Sequence, residues 1–214
     1  MQPGRSVAFC LAAGFGLRGG DSVGIWVTRR ETPSHRDVDV EVDMLVPEAV
    51  SPGSGRRAAR LEGHEPHAAR IARGLEGALF DADVMRVGAF DDSDVRGFDI
   101  NVAGPAALLV SKLHKIADRA DSPRAKDKDA YDVLRLLRGT TAAEMAARVH
   151  RLRDEPLSRA VTVEALGLLG SLFGRAEGVG SQMAVRAARG LADPQETAAS
   201  CAALADEILQ ALRD

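Results

Sequence analysis

Strict alternation of polar and apolar residues marks the first clear element, Asp37 to Val46, where Asp-Val-Asp-Val-Glu-Val-Asp-Met-Leu-Val reads as a β-strand stopped by Pro47. Val23 to Thr28, with Ile25, Trp26 and Val27, predicts a strand before it. Val84 to Ala89 and Phe98 to Val102 predict two more, joined by the acidic turn Asp91-Asp92-Ser93-Asp94. The pattern then changes to helical spacing. A helix is predicted from Pro105 to about Arg119, with proline at a first-turn position, and a second from about Lys126 to Arg138, ended by Gly139. Residues 5–13 and 67–80 also suit helices. Beyond Thr140 the chain reads as helices separated at Pro156, Gly178-Val179-Gly180 and Asp193-Pro194, with apolar stripes such as Leu166, Leu169, Leu172 and Phe173. The predicted class is α+β: a mixed β-sheet flanked by helices over residues 1–139, then an all-helical region over 140–214.

Composition agrees with a folded chain. Of 214 residues, 45% are hydrophobic and 28% charged, with a net charge of −3. No apolar run approaches the roughly 18 residues of a membrane span, and no secretory leader is evident, so a cytoplasmic protein with no membrane partner is expected. The two cysteines, Cys10 and Cys201, make no disulfide framework. With aromatics at 4%, a base-stacking surface for single-stranded nucleic acid is not expected. One bias stands out. Of 28 basic residues only four are lysine, and all four, Lys112, Lys115, Lys126 and Lys128, fall in one window.

Two patterns carry candidate chemistry. In the alternating strand, Asp37, Asp39, Glu41 and Asp43 share one face, with neighbours about 6.6 Å apart. Two of them could ligate one hard cation such as Mg²⁺; the plainer reading is a solvated edge whose charge blocks aggregation. In the first helix of the lysine window, Lys112 falls inside the arc of Leu109, Leu113 and Ile116, whereas Lys115 and His114 fall on the outer face. In the next helix Asp129 sits mid-arc on the apolar face and Asp132 at its edge. A buried ammonium and a buried carboxylate both need partners, so Lys112 and Asp129 are expected to meet across a helical hairpin or to converge on one ligand. A register-fixing ion pair and a phosphate-holding lysine both satisfy that geometry. Among weaker signals, His64 and His67 flank Pro66, and Gly14 to Gly19 is glycine-rich without a phosphate-loop lysine. The arginines between Arg56 and Arg73 read as solvated surface, or as contacts to triphosphate or an RNA backbone.

The stretch Pro105 to Arg119, followed by Lys128-Asp129-Ala-Tyr-Asp132-Val-Leu, resembles the nucleotidyltransferase-like abortive-infection toxins (the AbiEii/AbiGii group). Val42-Asp43-Met-Leu-Val-Pro47 resembles the strand in that family that carries a late active-site carboxylate. The resemblance covers roughly residues 38–138. It implies a nucleotidyltransferase-like fold and transfer of a nucleotidyl group from a Mg²⁺-bound NTP to an acceptor, in some members tRNA. It further implies an RNA acceptor and a cognate antitoxin as partners. In these terms Lys112, Asp129 and Asp132 are the catalytic candidates. Lys112, Arg56 and Arg57 are the candidates for holding the NTP, and Asp43, Asp39 and Glu41 those for metal. The sequence departs from the family in one respect. No separate upstream strand carries Asp-x-Asp; Asp37-Val38-Asp39 lies on the same strand as Asp43. A catalytically inactive module that keeps the fold for binding or regulation is the alternative.

Overall fold

A computed structural model of the chain describes residues 10–20, 22–34, 36–51, 58–65, 67–89, 91, 93–120 and 126–213. Two compact units divide at Ala72. The helices over 105–119 and 126–138 therefore belong with the C-terminal helices, not with the alternating strand from which the sequence pattern does not separate them.

In the first unit β1 (Gly16–Leu17), β2 (Ile25–Glu31) and β3 (Asp37–Asp43) form an antiparallel sheet in that order. The register sets Trp26 opposite Val42 and Thr28 opposite Val40, so one face gathers the apolar residues. Trp26 is buried against Cys10 and Ala68, and its indole N–H donates to the Ala68 carbonyl at 2.8 Å. The opposite face carries the four acids, as the alternation predicts.

The predicted strand to Val46 breaks at Met44. There the chain leaves β2, and β4 (Leu45–Pro47) pairs in parallel with β5 (Arg70–Ala72). Gly24 makes the crossing point. Its carbonyl accepts from the Met44 N–H at 2.7 Å, and the Met44 carbonyl accepts from the Arg70 N–H at 2.9 Å. With φ of +74° and space for a Cβ only 2.6 Å from the Met44 carbonyl, this position requires glycine. The helix expected over 67–80 does not form. Residues 70–72 are taken by β4, Gly74 turns at φ +83°, and only a short 3₁₀ turn remains at Glu76–Leu79. Of the helix expected over 5–13, residues 10–12 are helical and the earlier positions lie outside the described residues.

The second unit begins with a hairpin of β6 (Ala82–Gly88) and β7 (Gly97–Ala103). Its helices are α1 (Pro105–Asp118), α2 (Asp127–Gly139), α3 (Ala142–Asp154), α4 (Arg159–Phe173), α5 (Val179–Ala187) and α6 (Pro194–Ala211). Helix α1 packs against α2, α3 and α4, and α6 against α2, α3, α4 and α5. One core joins Leu109, Leu113, Leu134, Leu137, Leu152, Leu169, Phe173 and Ile208. Two helix starts, those of α3 and α6, carry side-chain caps. The Thr141 hydroxyl accepts from the Glu144 N–H, and the Asp193 carboxylate accepts from the Gln195 and Glu196 N–H groups.

Helix α1 starts differently. Its N-cap is Gly104, which has no side chain to offer, and the missing acceptor comes from the buried Asp81. One carboxylate oxygen takes the Ala107 N–H at 2.9 Å, and the Asp81 carbonyl takes the Gly104 N–H at 2.8 Å. The other carboxylate oxygen binds the Arg148 guanidinium of α3 at 2.8 Å. Hydrogen bonds to Asp81 and Asp83 hold Arg148 protonated well above the usual range. The approach is so close that a Cβ at Gly104 would lie 2.3 Å from Asp81 Oδ1. Gly104→Ala is therefore expected to lower the unfolding free energy by about 1–3 kcal/mol. Gly139→Ala, where a Cβ meets nothing within 4 Å, is expected to be neutral or stabilising by up to about 1 kcal/mol. Urea denaturation of the two variants measures the contrast.

Candidate functional site

The lysine window and the two carboxylates meet where the last turns of α1 pass the first turn of α2. On α1, Leu109, Leu113 and Ile116 enter the core, and Lys112 leaves along their edge. On α2, Asp129, Val133 and Leu137 share the buried face, each at most 2% exposed. Asp129 is the third residue of α2, where the helix dipole favours an anion; Lys115 lies in the last turn of α1, where it favours a cation.

Lys112 Nζ donates to Asp129 Oδ1 at 3.1 Å and to Asp132 Oδ2 at 2.6 Å. The expected meeting of Lys112 and Asp129 is thus present, with Asp132 in the same bond set. Lys115 is not turned away. Its ammonium donates to the same Asp129 oxygen at 2.7 Å. Arg119 stands 3.9 Å from the other Asp129 oxygen. The spacing Lys112, Lys115, Arg119 is i, i+3, i+7, a single stripe about 60° wide. That spacing was the available signal, and a four-carbon stem spans the angle that placed Lys115 outside. His114, also expected on the outer face, is buried and its Nε2 lies 2.8 Å from the Val161 carbonyl. Helix α4 covers that side of α1, which a wheel drawn for one apolar arc does not show.

The charges set the protonation states. Burial pushes the Asp129 carboxyl up, but the ammonium groups of Lys115 and Lys112 outweigh it and hold the group below the ordinary carboxylate range. For Lys112, burial pushes down, and the bonds to Asp132 and Asp129 more than restore it, so the ammonium is firmer than usual. Three cations from the end of α1 thus face two carboxylates of α2. The side chains of Lys112, Arg119, Asp132 and Lys115 are 22%, 23%, 33% and 36% exposed, so the cluster lies at the edge of the core with Lys115 its most exposed cation.

The other candidates lie apart in sequence and in surroundings. Asp39, Glu41 and Asp43 belong to β3 in the first unit, and each faces an arginine: Asp39 with Arg29 at 3.3 Å, Glu41 with Arg18, Asp43 with Arg70 at 3.8 Å. By donor type they suit Mg²⁺. By arrangement they do not: they point to three different guanidinium groups and are not gathered round one cation. Among the described residues no three His, Cys, Asp or Glu side chains are grouped to hold a metal, His64 and His67 included. Arg56 and Arg57 lie outside the described residues.

Comparison of the chain with protein-family models, with curated proteins and with solved structures finds no match. The reading of this site rests on its own geometry.

The sign of its pH dependence follows from Asp129. A carboxyl held low in the folded state adds stability that is complete above its unfolded pKa of about 3.9 and is lost as pH falls through the lower folded value. Asp129→Asn is expected to cost about 1–3 kcal/mol at neutral pH, less than for a fully enclosed pair because both lysines can turn to water. Urea midpoints measured from pH 7 down to pH 3 should show the gap between wild type and variant closing only below about pH 4.

Proposed function

We propose that this chain is a nucleotidyltransferase-like protein, toxin-like in kind, that transfers a nucleotidyl group from an NTP to a hydroxyl of an acceptor such as RNA. The observation that carries the reading is the part-buried Lys112 ammonium, shared by Asp129 and Asp132 where, with Lys115 and Arg119, three cations meet two carboxylates. A triphosphate supplies the missing negative charge. Lys112 holds an oxygen of its β- or γ-phosphate and stabilises the charge that builds on the leaving pyrophosphate. The acceptor oxygen attacks the α-phosphorus, the α–β P–O bond breaks, and pyrophosphate departs. The hydroxyl proton passes to Asp132, the more exposed carboxylate. Asp129, held ionised, positions Lys112 and does not take the proton.

Magnesium, which the family resemblance implies, would be held by Asp43, Asp39 and Glu41 of β3 and would supply charge neutralisation, but their arrangement on three separate arginines does not fit one cation. A cation there competes with Arg70, Arg29 and Arg18, so the transfer chemistry set out here runs on Lys112 and its carboxylates alone. A cognate antitoxin is the partner that a toxin of this kind requires.

One observation favours a second reading, a catalytically inactive binding or regulatory module. Among the described residues no buried side-chain nitrogen or oxygen lacks a hydrogen-bond partner, and Lys112 is already bonded to two carboxylates. The cluster is electrostatically complete enough to serve the fold alone.

Incubation with Mg²⁺, each of the four labelled NTPs in turn and total RNA separates the two. Transfer of label by the wild type, falling about 100-fold or more in Lys112→Ala, supports the enzyme. Absence of transfer with every nucleotide, together with a large loss of stability in Lys112→Ala, supports the module.

A further inference from the structure

Lys112 and Lys115 bind the same oxygen of Asp129, but not equally. Lys115 is the closer at 2.7 Å, while Lys112, at 3.1 Å from Asp129, makes its shorter bond, 2.6 Å, to Asp132. Arg119 adds a third cation 3.9 Å from the second Asp129 oxygen. Asp129 is 2% exposed and cannot stand alone. If Lys112 were its one partner, movement of Lys112 towards a ligand would strand a buried carboxylate at a cost of several kcal/mol. With Lys115 and Arg119 in place that cost does not arise.

We infer that Lys115 is a positioning residue: it is the resident counter-ion of Asp129, and it releases Lys112 to exchange its carboxylate contact for a phosphate oxygen. This rests on the nucleotide reading above for the identity of the incoming anion. It gives the two lysines separate tasks, one mobile and one fixed. Lys126 meets Asp129 only through its backbone carbonyl, which accepts the Asp129 N–H at 3.0 Å, and among the described contacts neither its ammonium nor that of Lys128 reaches the Asp129 carboxylate, so they take neither task. Helix geometry supports the division. Lys115 sits in the last turn of α1 and Asp129 in the first turn of α2, and the ammonium meets the carboxylate at 2.7 Å. Lys112 lies one turn back, between Asp129 and the more exposed Asp132, its side chain 22% exposed.

The chain's own composition makes the test direct. With ¹⁵N-lysine labelling only four ammonium signals arise, one per lysine, and single Lys→Arg variants assign them. Inorganic tripolyphosphate is the probe. The expected result is that the Lys112 signal moves on titration while the Lys115 signal stays. In Lys115→Gln, Asp129 falls back on Lys112, so about tenfold more tripolyphosphate should be needed to move the Lys112 signal. The Asp129 carboxyl, followed by ¹³C NMR, should titrate about one pH unit higher in Lys115→Gln than in wild type, and Lys115→Arg should restore both readouts. The inference is overturned if Lys115→Gln leaves the Asp129 titration unchanged, or if Lys115 moves together with Lys112. A tripolyphosphate titration that moves no lysine, with Asp129 still responding to Lys115→Gln, instead sinks the nucleotide reading and the exchange with it, and leaves Lys115 as the counter-ion of a purely structural pair.

Discussion

A carboxylate buried to 2% exposure on the apolar face of α2 governs how the second unit is put together. Asp129 cannot enter a helix interface without cations, because desolvating its charge costs more than any single neutral contact returns. The cations come from one stripe of α1. That requirement fixes which turn of α1 faces which turn of α2, and the aliphatic residues follow. Once Asp129 is seated under Lys115 and Arg119, Val133 and Leu137 one and two turns on are carried into the same core as Leu109 and Leu113. Hydrophobic burial supplies most of the free energy, but it would tolerate a slip of the helices that the ion pair does not.

The other end of α1 is held in the same way. Asp81 meets the helix N-terminus, and Arg148 of α3 balances it. A buried aspartate therefore stands at each end of the helix, one satisfying free N–H groups and one gathering side-chain cations. Between them α1 packs against three helices and cannot rotate or slide without leaving one carboxylate unpaired. The result is a rigid platform that carries two partly exposed ammonium groups, of which Lys112 alone is shared between two carboxylates. Rigidity matters for any site whose task is to hold a phosphate, since a loosely placed charge loses most of its effect.

What the sequence made legible was periodic. Alternation located β3 and its acidic face, and the helical spacing located α1, α2 and the all-helical tail. The inward faces of Lys112 and Asp129 were readable because a charge inside an apolar arc is conspicuous. What escaped was non-local. The break of the long strand at Met44 depends on β5, far along the chain, and on Gly24; no window of local sequence contains both. Residues 67–80 have helical periodicity, yet the pairing of 70–72 with β4 outweighs that weak local preference. Asp81 was invisible for the same reason, since its partners lie 26 and 67 residues away. Lys115 was misplaced because a wheel fixes the direction of Cβ and ignores the reach of the stem.

The concentration of lysine in one window acquires a physical meaning from this geometry. The chain uses arginine at 24 of its 28 basic positions, including every cation that faces the β3 carboxylates and the one that binds Asp81. A guanidinium suits those places because its planar fork locks onto one carboxylate. At position 112 the requirement is different. The cation must be shared by Asp129 and Asp132, which lie three residues apart on α2. An ammonium has three donors about a point and can serve two carboxylates at once without a preferred plane. The same property lets it turn to a third acceptor with little rearrangement. A fork bonded to one carboxylate would leave the other unpaired. Lysine at position 112 therefore fits the need for a shareable charge, whereas the counter-ion at position 115 needs only a cation, a place an arginine would also fill.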